Sequence, residues 1–220
     1  MIVKTQKTAY VKTIGDLNAE TESILLVAHG YGQLVDFFAR HLENIKHPKL
    51  CILCPEALNR FYLCGYRGRV GAHWMSKYRR EEDIEDNHFY LNQVFEQAKA
   101  IAPNADWHLL GFSQGAQTLS RWLCQENIEA KSLTLWGGRQ AYDIDWERFR
   151  AFSEQQAIEF RIGDEDEYYD PSYNTNATTT YDSSGNTFIT NNYYGGNYQY
   201  SNRFNRFNNI NNGWNDPYWD

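Results

Sequence analysis

The chain has 220 residues, which is enough for one sizeable α/β domain and too few for two. Its formal net charge of −7 argues against nucleic acid or an anionic membrane surface as the main partner. The first residues lack the apolar run of a signal peptide, and no segment approaches the roughly 18 apolar residues of a membrane span. We therefore expect a single cytoplasmic domain over 1–220 without integral membrane contact. The sequence does not indicate an oligomeric state.

Apolar runs alternate with helical patterns along the first three quarters of the chain. Strands are predicted for 24–30, 49–57, 106–113, 131–138 and 157–166, and helices for 33–45, 83–103, 114–127 and 145–152. Between them, 58–80 is predicted to be a long aromatic, glycine-rich connection. The alternation predicts an α/β fold with a mostly parallel central sheet, right-handed crossovers and helices on both faces.

The composition changes after about residue 170. The segment 171–220 contains 13 Asn and 7 Tyr but no Lys, Glu, His, Leu, Val, Met or Cys. Composition alone fits a disordered Asn-rich tail. The pattern favours a folded one, with a strand at 186–194, a turn at 195–197 and a helix at 201–210 that places Phe204, Phe207 and Ile210 on one face. We expect this tail to supply the last strand and helix of the domain.

Cys51 and Cys54 form a C-x-x-C inside a predicted strand. Residues three apart on a strand point to opposite faces, so we expect buried reduced thiols rather than a metal site or a redox pair. No motif implies a metal or an organic cofactor.

Residues 111–116 read GFSQGA, a G-x-S-x-G pattern. This pattern is meaningful where a strand turns sharply into a helix, and here a predicted strand precedes it and a predicted helix follows it. Ser113 is therefore a candidate nucleophile, with Gly111 and Gly115 allowing the close approach of backbone and helix. The alternative is a chance match in a loop.

A second motif, AHGYGQ at 28–33, follows a predicted buried strand. Two backbone amides near a nucleophile can stabilise an oxyanion, and we assign them to Tyr31 and to Gln114, the residue after Ser113. His29 is expected to be a hydrogen-bonded structural histidine beneath this loop rather than a base.

A third motif, GDED at 163–166, ends the predicted strand at 157–166. An acid there can orient an imidazole and stabilise its charged form, and Asp166 is favoured over Asp164 for that role. The alternative is a solvated acidic loop. The last histidine of the chain is His108, which precedes Ser113.

In combination, HGYGQ, GFSQGA and GDED resemble the phospholipase/carboxylesterase family of α/β-hydrolases, which includes small bacterial carboxylesterases and acyl-protein thioesterases. The resemblance implies an α/β-hydrolase fold, a small-molecule ester or thioester substrate, Ser113 as nucleophile and Asp166 as the triad acid. It also implies a histidine after a glycine pair near the end of the chain. That position is Asn197, in Gly195-Gly196-Asn197.

Asparagine cannot take the serine proton, so two functions are open: a serine hydrolase, or a catalytically impaired hydrolase fold that binds a ligand or a protein partner. His73, in the 58–80 connection, is the one candidate to replace the base. In the same connection, Phe61, Tyr62, Tyr66 and Trp74 either line an acyl pocket or pack the connection onto the core. Arg67 and Arg69 meet an anionic head group or are solvated.

Overall fold

The computed structural model describes residues 1–45, 47–163, 177–181 and 187–193, the last two segments and 162–163 as backbone only. The strands are β1 (Val11–Ile14), β2 (Ser23–Ala28), β3 (Leu50–Pro55), β4 (Asn59–Cys64), β5 (Arg67–His73), β6 (Asp106–Phe112), β7 (Ser132–Trp136), β8 (Ala157–Gly163), β9 (Ala177–Tyr181) and β10 (Thr187–Tyr193). The helices are α1 (Val35–Phe38), α2 (Arg80–Ile101), α3 (Gln114–Gln125) and α4 (Trp146–Gln155). A single 3₁₀ turn, Ala39–His41, follows α1.

Eight strands form one sheet in the order β1-β3-β2-β6-β7-β8-β10-β9. The five strands from β3 to β8 in this order pair in parallel, whereas β1, β10 and β9 pair antiparallel to their neighbours. The prediction of a mostly parallel sheet is therefore confirmed. Because the parallel strands run in one direction, the ends of β2, β3, β6 and β7 meet at one edge, which we call the carboxyl edge.

The two faces of the sheet carry separate hydrophobic clusters. Alternate residues of the central strands, among them Leu26, Leu109 and Leu133, are fully buried beneath α2 and α3. On the other face, Val27 and Ile52 pack with Phe38 of α1. Helices thus cover both faces, as predicted.

Cys51 and Cys54 belong to different faces, as the strand interpretation predicts. Cys51 lies in the cluster under α2 and α3, and Cys54 lies in the cluster with α1. Both thiols are free and buried. Among the residues that the structure describes, no group of three or more His, Cys, Asp or Glu side chains is arranged to hold a metal ion.

The connection at 58–80 contains a two-stranded hairpin of β4 and β5 that the sequence analysis did not predict. Its tip consists of the eight exposed residues 62–69. The structure also adds β1 and β9, and it shortens the predicted helix at 33–45 to α1 and the 3₁₀ turn. In the described part of the chain, no helix has the length and apolar character required to cross a membrane.

Candidate functional site

Ser113 lies at the sharp turn between β6 and α3, at the carboxyl edge of the sheet. Its φ of 52° and ψ of −115° are outside the regions that a residue with a side chain prefers. Such a conformation costs about 1–3 kcal/mol and persists where the surroundings fix it. The Ser113 amide donates to the Trp136 carbonyl at 2.8 Å, and the Ser113 carbonyl accepts from the Ala116 amide at 3.0 Å.

Two glycines make this turn possible by close approach. A Cβ on Gly115 would lie 2.2 Å from the Ala28 carbonyl oxygen, so α3 contacts the end of β2 directly. A Cβ on Gly111 would lie 2.4 Å from the Ala116 Cα. The G-x-S-x-G pattern predicted that Gly111 and Gly115 allow such close approaches, because the strand and the helix that flank this kind of turn leave no space for a side chain.

The loop after β2 reaches the same turn. A Cβ on Gly30 would lie 3.2 Å from the Ser113 Cβ, which places the two backbones side by side. Within this loop the Gly30 amide donates to Gln33 Oε1 at 2.7 Å and the Gly32 amide donates to the Ala72 carbonyl at 2.8 Å. Tyr31 is therefore held between two anchored glycines, next to Ser113.

Gln114 is the first residue of α3, so no carbonyl of its own helix can accept its backbone amide. The amide also lies at the positive end of the helix dipole. The structure thus brings together Ser113, the Tyr31 loop and the N-terminus at Gln114, three of the features assigned from sequence.

The Gln114 side chain has a second task that sequence reasoning missed. It is 2 % exposed, its Oε1 accepts from the Trp74 amide at 2.9 Å, and its Nε2 donates to the Met75 carbonyl at 2.9 Å. The Trp74 indole donates to the His29 carbonyl at 2.8 Å. Asn87 of α2 donates to the Trp74 carbonyl. Trp74 therefore ties the end of the hairpin to the turn at Ser113, to the end of β2 and to α2.

His29 is a structural histidine, as expected. Its Nδ1 donates to the Gly30 carbonyl at 2.7 Å, and its Nε2 accepts from the Ala57 amide at 3.0 Å. Burial lowers the pKa of His29, so the ring is neutral. With both nitrogens bound, this ring has no lone pair with which to accept the serine proton.

The four aromatic residues named for a pocket have different surroundings. The Phe61 ring packs against the Tyr31 ring, with centroids 5.0 Å apart. Tyr62 and Tyr66 project from the hairpin tip and are 49 % and 83 % exposed. Trp74 is fully buried in the main core cluster, where it packs the connection onto the core.

His73 ends β5 beside the Tyr31 loop. Its ring stacks on Tyr31 with centroids 5.8 Å apart and meets the edge of Phe61 at 5.4 Å. Burial lowers the pKa of His73. The two histidines nearer to Ser113 in sequence are hydrogen-bonded elsewhere, His108 to Ser132 at 2.8 Å and His88 to Glu126 at 3.2 Å.

Asp166 and Asn197, like the alternative acid Asp164, lie outside the described residues, and so do the turn at 195–197 and the predicted helix at 201–210. The backbone of β8 runs parallel to β7 and ends at Gly163, on the carboxyl edge that carries Ser113. The roles assigned to Asp166 and Asn197, and the turn and helix predicted for the tail, therefore stay predictions.

Arg80, Arg121 and Asp143 form a charged cluster that was not predicted from the sequence. Arg121 of α3 is 2 % exposed, and its Nε and Nη2 donate to Asp143 Oδ1 at 2.9 and 2.8 Å. Arg80, at the start of α2, pairs with the other oxygen of the same carboxylate. Although burial alone would raise the pKa of Asp143, the two arginines hold it below its ordinary value. Arg80 and Asp143 are 63 positions apart in the sequence, so no local pattern could predict that they pair.

No protein-family model matches the sequence, and no curated protein matches it. Solved structures match its fold. Acyl-protein thioesterase 2 of Zea mays superposes with a TM-score of 0.50 at 14% identity, over 69% of this chain and 74% of that one. A phospholipase/carboxylesterase from Dyadobacter fermentans DSM 18053 gives 0.48 at 13% identity, over 66% and 68%. A protein of unknown function from Agrobacterium tumefaciens str. C58 gives 0.44 at 17% identity, and this chain spans 63% of it, less than two thirds.

At this level of identity the likeness concerns the fold. The chain has the α/β-hydrolase fold, and its likeness to acyl-protein thioesterases, predicted from three motifs, is confirmed at that level.

Proposed function

We propose that the chain is a serine hydrolase that cleaves carboxylic esters or thioesters of small molecules through an acyl-enzyme on Ser113. The observation that carries this proposal is the strained backbone of Ser113 at the β6–α3 turn, beside Gly30. Strain of this kind is kept where a surrounding structure fixes it, and it is found preferentially at functional sites.

In the proposed reaction, Ser113 Oγ attacks the substrate carbonyl carbon, the bond from that carbon to the leaving oxygen or sulfur breaks, and the hydroxyl proton leaves with the departing alcohol or thiol. The negative charge on the carbonyl oxygen is stabilised by the amides of Tyr31 and Gln114 and by the dipole of α3. Water then releases the acyl group. Asp166 has the role of the triad acid, and Asn197 occupies the position of the expected base. The proposal needs no metal or cofactor, and it places the activity in one cytoplasmic domain over 1–220.

A second candidate is a catalytically impaired hydrolase fold that acts as a ligand- or partner-binding module. The specific observation in its favour is that no histidine follows His108, while His29 has both ring nitrogens engaged. Without a base, a residual acceleration of roughly 10³–10⁴ over water is expected from the oxyanion donors and binding alone.

Hydrolysis of p-nitrophenyl acetate and butyrate tests the proposal. Wild type should exceed Ser113→Ala in rate, and equal rates would overturn the enzyme function in favour of the binding module. His73→Gln, compared in the same assay, asks whether the ring beside Tyr31 takes the place of the base. A loss of rate with retained folding supports that replacement, and an unchanged rate excludes it.

A further inference from the structure

The hairpin tip, residues 62–69, is an exposed segment that combines aromatic and basic side chains. Its sequence, YLCGYRGR, contains two arginines and no acid, whereas the whole chain has a formal charge of −7. Tyr62, Leu63 and Tyr66 are 49 %, 40 % and 83 % exposed. The Arg67 guanidinium lies 5.6 Å from the centre of the Tyr66 ring. Neither Arg67 nor Arg69 has an ion-pair partner among the described residues.

The tip is anchored at the predicted active site rather than elsewhere on the molecule. At its base, Ala72 exchanges backbone hydrogen bonds with Gly32 and Gln33 of the Tyr31 loop, at 2.8 and 3.2 Å. On the tip itself, the Leu63 side chain lies against Gly32, since a Cβ on that glycine would be 3.1 Å from Leu63 Cδ2. The tip therefore projects beside the loop that faces Ser113.

The rest of the carboxyl edge also carries exposed aromatic rings and arginine side chains. Six of the eight aromatic residues that are exposed in the described parts of the chain lie in the segments between a strand end at the carboxyl edge and the first residues of the next helix. They are Phe37, Tyr62, Tyr66, Tyr78, Tyr142 and Trp146. All four described arginine–ring contacts lie here too, on Phe37, Tyr66, Tyr78 and Tyr142.

Aromatic rings and arginines side by side suit the boundary between water and lipid. A tyrosine ring is apolar with a polar tip, and a guanidinium binds phosphate oxygens through a planar set of donors while its stem stays apolar. Charges are screened beyond about 10 Å in ~0.1 M salt, so the tip, which holds two arginines and no acid, can be locally basic although the chain as a whole is acidic.

We propose that the hairpin tip docks the protein on the surface of an anionic lipid aggregate, with the Ser113 edge next to that surface. The occupant is a phospholipid interface, because the tip offers apolar rings and basic groups together, whereas a soluble anion would need only the latter. Docking is a property of the tip and does not depend on turnover, so it stands or falls separately from the proposed function.

Cys64 provides a direct probe, because it is exposed at the tip while Cys51, Cys54 and Cys124 are buried. An environment-sensitive fluorophore on Cys64 of the Ser113→Ala protein should shift to the blue with phosphatidylcholine vesicles that contain phosphatidylglycerol. The shift should be weaker without phosphatidylglycerol and should reverse with salt. An unchanged spectrum would overturn the proposal.

Vesicle sedimentation of unlabelled variants locates the contact. Arg67→Gln with Arg69→Gln should weaken binding to anionic vesicles by about tenfold or more, as expected when two basic residues leave an anionic surface. Tyr66→Ser should weaken it further. The matched controls are Phe89→Ser on α2 and Arg150→Gln on α4, both exposed and outside the hairpin.

Equal losses in the tip and control variants would contradict the proposal, and so would binding of a DNA oligonucleotide as tight as that of vesicles. Absence of vesicle binding together with Ser113-dependent ester hydrolysis would reject the docking surface and leave the proposed function intact.

Discussion

Gln114 and Trp74 are joined by a buried hydrogen bond of 2.9 Å, from the Trp74 amide to the Gln114 carboxamide oxygen. In Gln114, the residue after the proposed nucleophile, the backbone and the side chain therefore have different roles. The backbone begins α3, and the side chain holds the segment after the hairpin.

We predict that Gln114→Leu destabilises the protein by about 3 kcal/mol, because it removes the hydrogen bonds that the Gln114 side chain makes to the buried Trp74 amide and to the Met75 carbonyl. Urea unfolding followed by tryptophan fluorescence measures the change. Gln97→Leu, at an exposed position of α2, is the control and should have little effect. Equal stability of the two variants would show that the Gln114 bonds contribute nothing.

The Arg121–Asp143 pair should make stability depend on acid pH. The pKa of Asp143 is lower in the folded protein than the value of about 3.9 in an unfolded chain, so the unfolded state binds the proton more readily. Its contribution is complete above about pH 4 and is lost as the pH falls through the folded-state pKa. Denaturation of wild type and Asp143→Asn at a series of pH values measures it.

Asp143→Asn should be less stable than wild type by about 3 kcal/mol at neutral pH, since Arg121 keeps a buried charge without its partner. The gap should narrow as the pH is lowered. A gap that stays constant down to the acid transition would mean that Asp143 is not the titrating partner.

Thiol reactivity should separate one cysteine from the other three. Burial raises the pKa of Cys51 to about 11 and those of Cys54 and Cys124 to about 12. The thiolate is the reactive form, so at neutral pH these three should react slowly and Cys64 quickly. Titration with Ellman's reagent should give one fast thiol in the native protein and four in denaturant, and Cys64→Ser should remove the fast one.

Asn197→His tests the position of the missing base. If residue 197 faces Ser113 as the resemblance implies, the change should raise the turnover of p-nitrophenyl butyrate by roughly 10³-fold, because triad residues act as a unit. The double variant Asn197→His/Ser113→Ala should lose that gain. No increase would place the base at another residue.

Much of the fold was predictable because its signals are local. The buried parallel strands β2, β3, β6 and β7 appear as short apolar runs, and the helix after Ser113 begins where the glycine spacing indicates. The strand β1 did not stand out, because four half-buried and exposed residues at the sheet edge show no apolar run. The hairpin was not predicted because its tip residues are exposed and because Ala72 of β5 also pairs with Gln33 of the Tyr31 loop, which is distant in sequence.

In the described part of the candidate site, only the local geometry was predictable. The Ser113 turn and the glycine loop depend on residues close in sequence. The contact between Gln114 and Trp74 joins residues 40 positions apart, and that of Arg80 with Asp143 joins residues 63 apart. No local pattern encodes such a pair, because the residues around one partner carry no signal of the other.

The hairpin is fixed at its base and open at its tip, and this division has a consequence for protein engineering. Backbone bonds at Ala72 and the Trp74 network hold the base, whereas 62–69 contact solvent. The tip can therefore be replaced by a segment of another length or composition, while His29, Trp74 and Gln114 continue to hold the base of the hairpin. Libraries that vary 62–69 alone would diversify the approach to Ser113 without touching the turn that carries it.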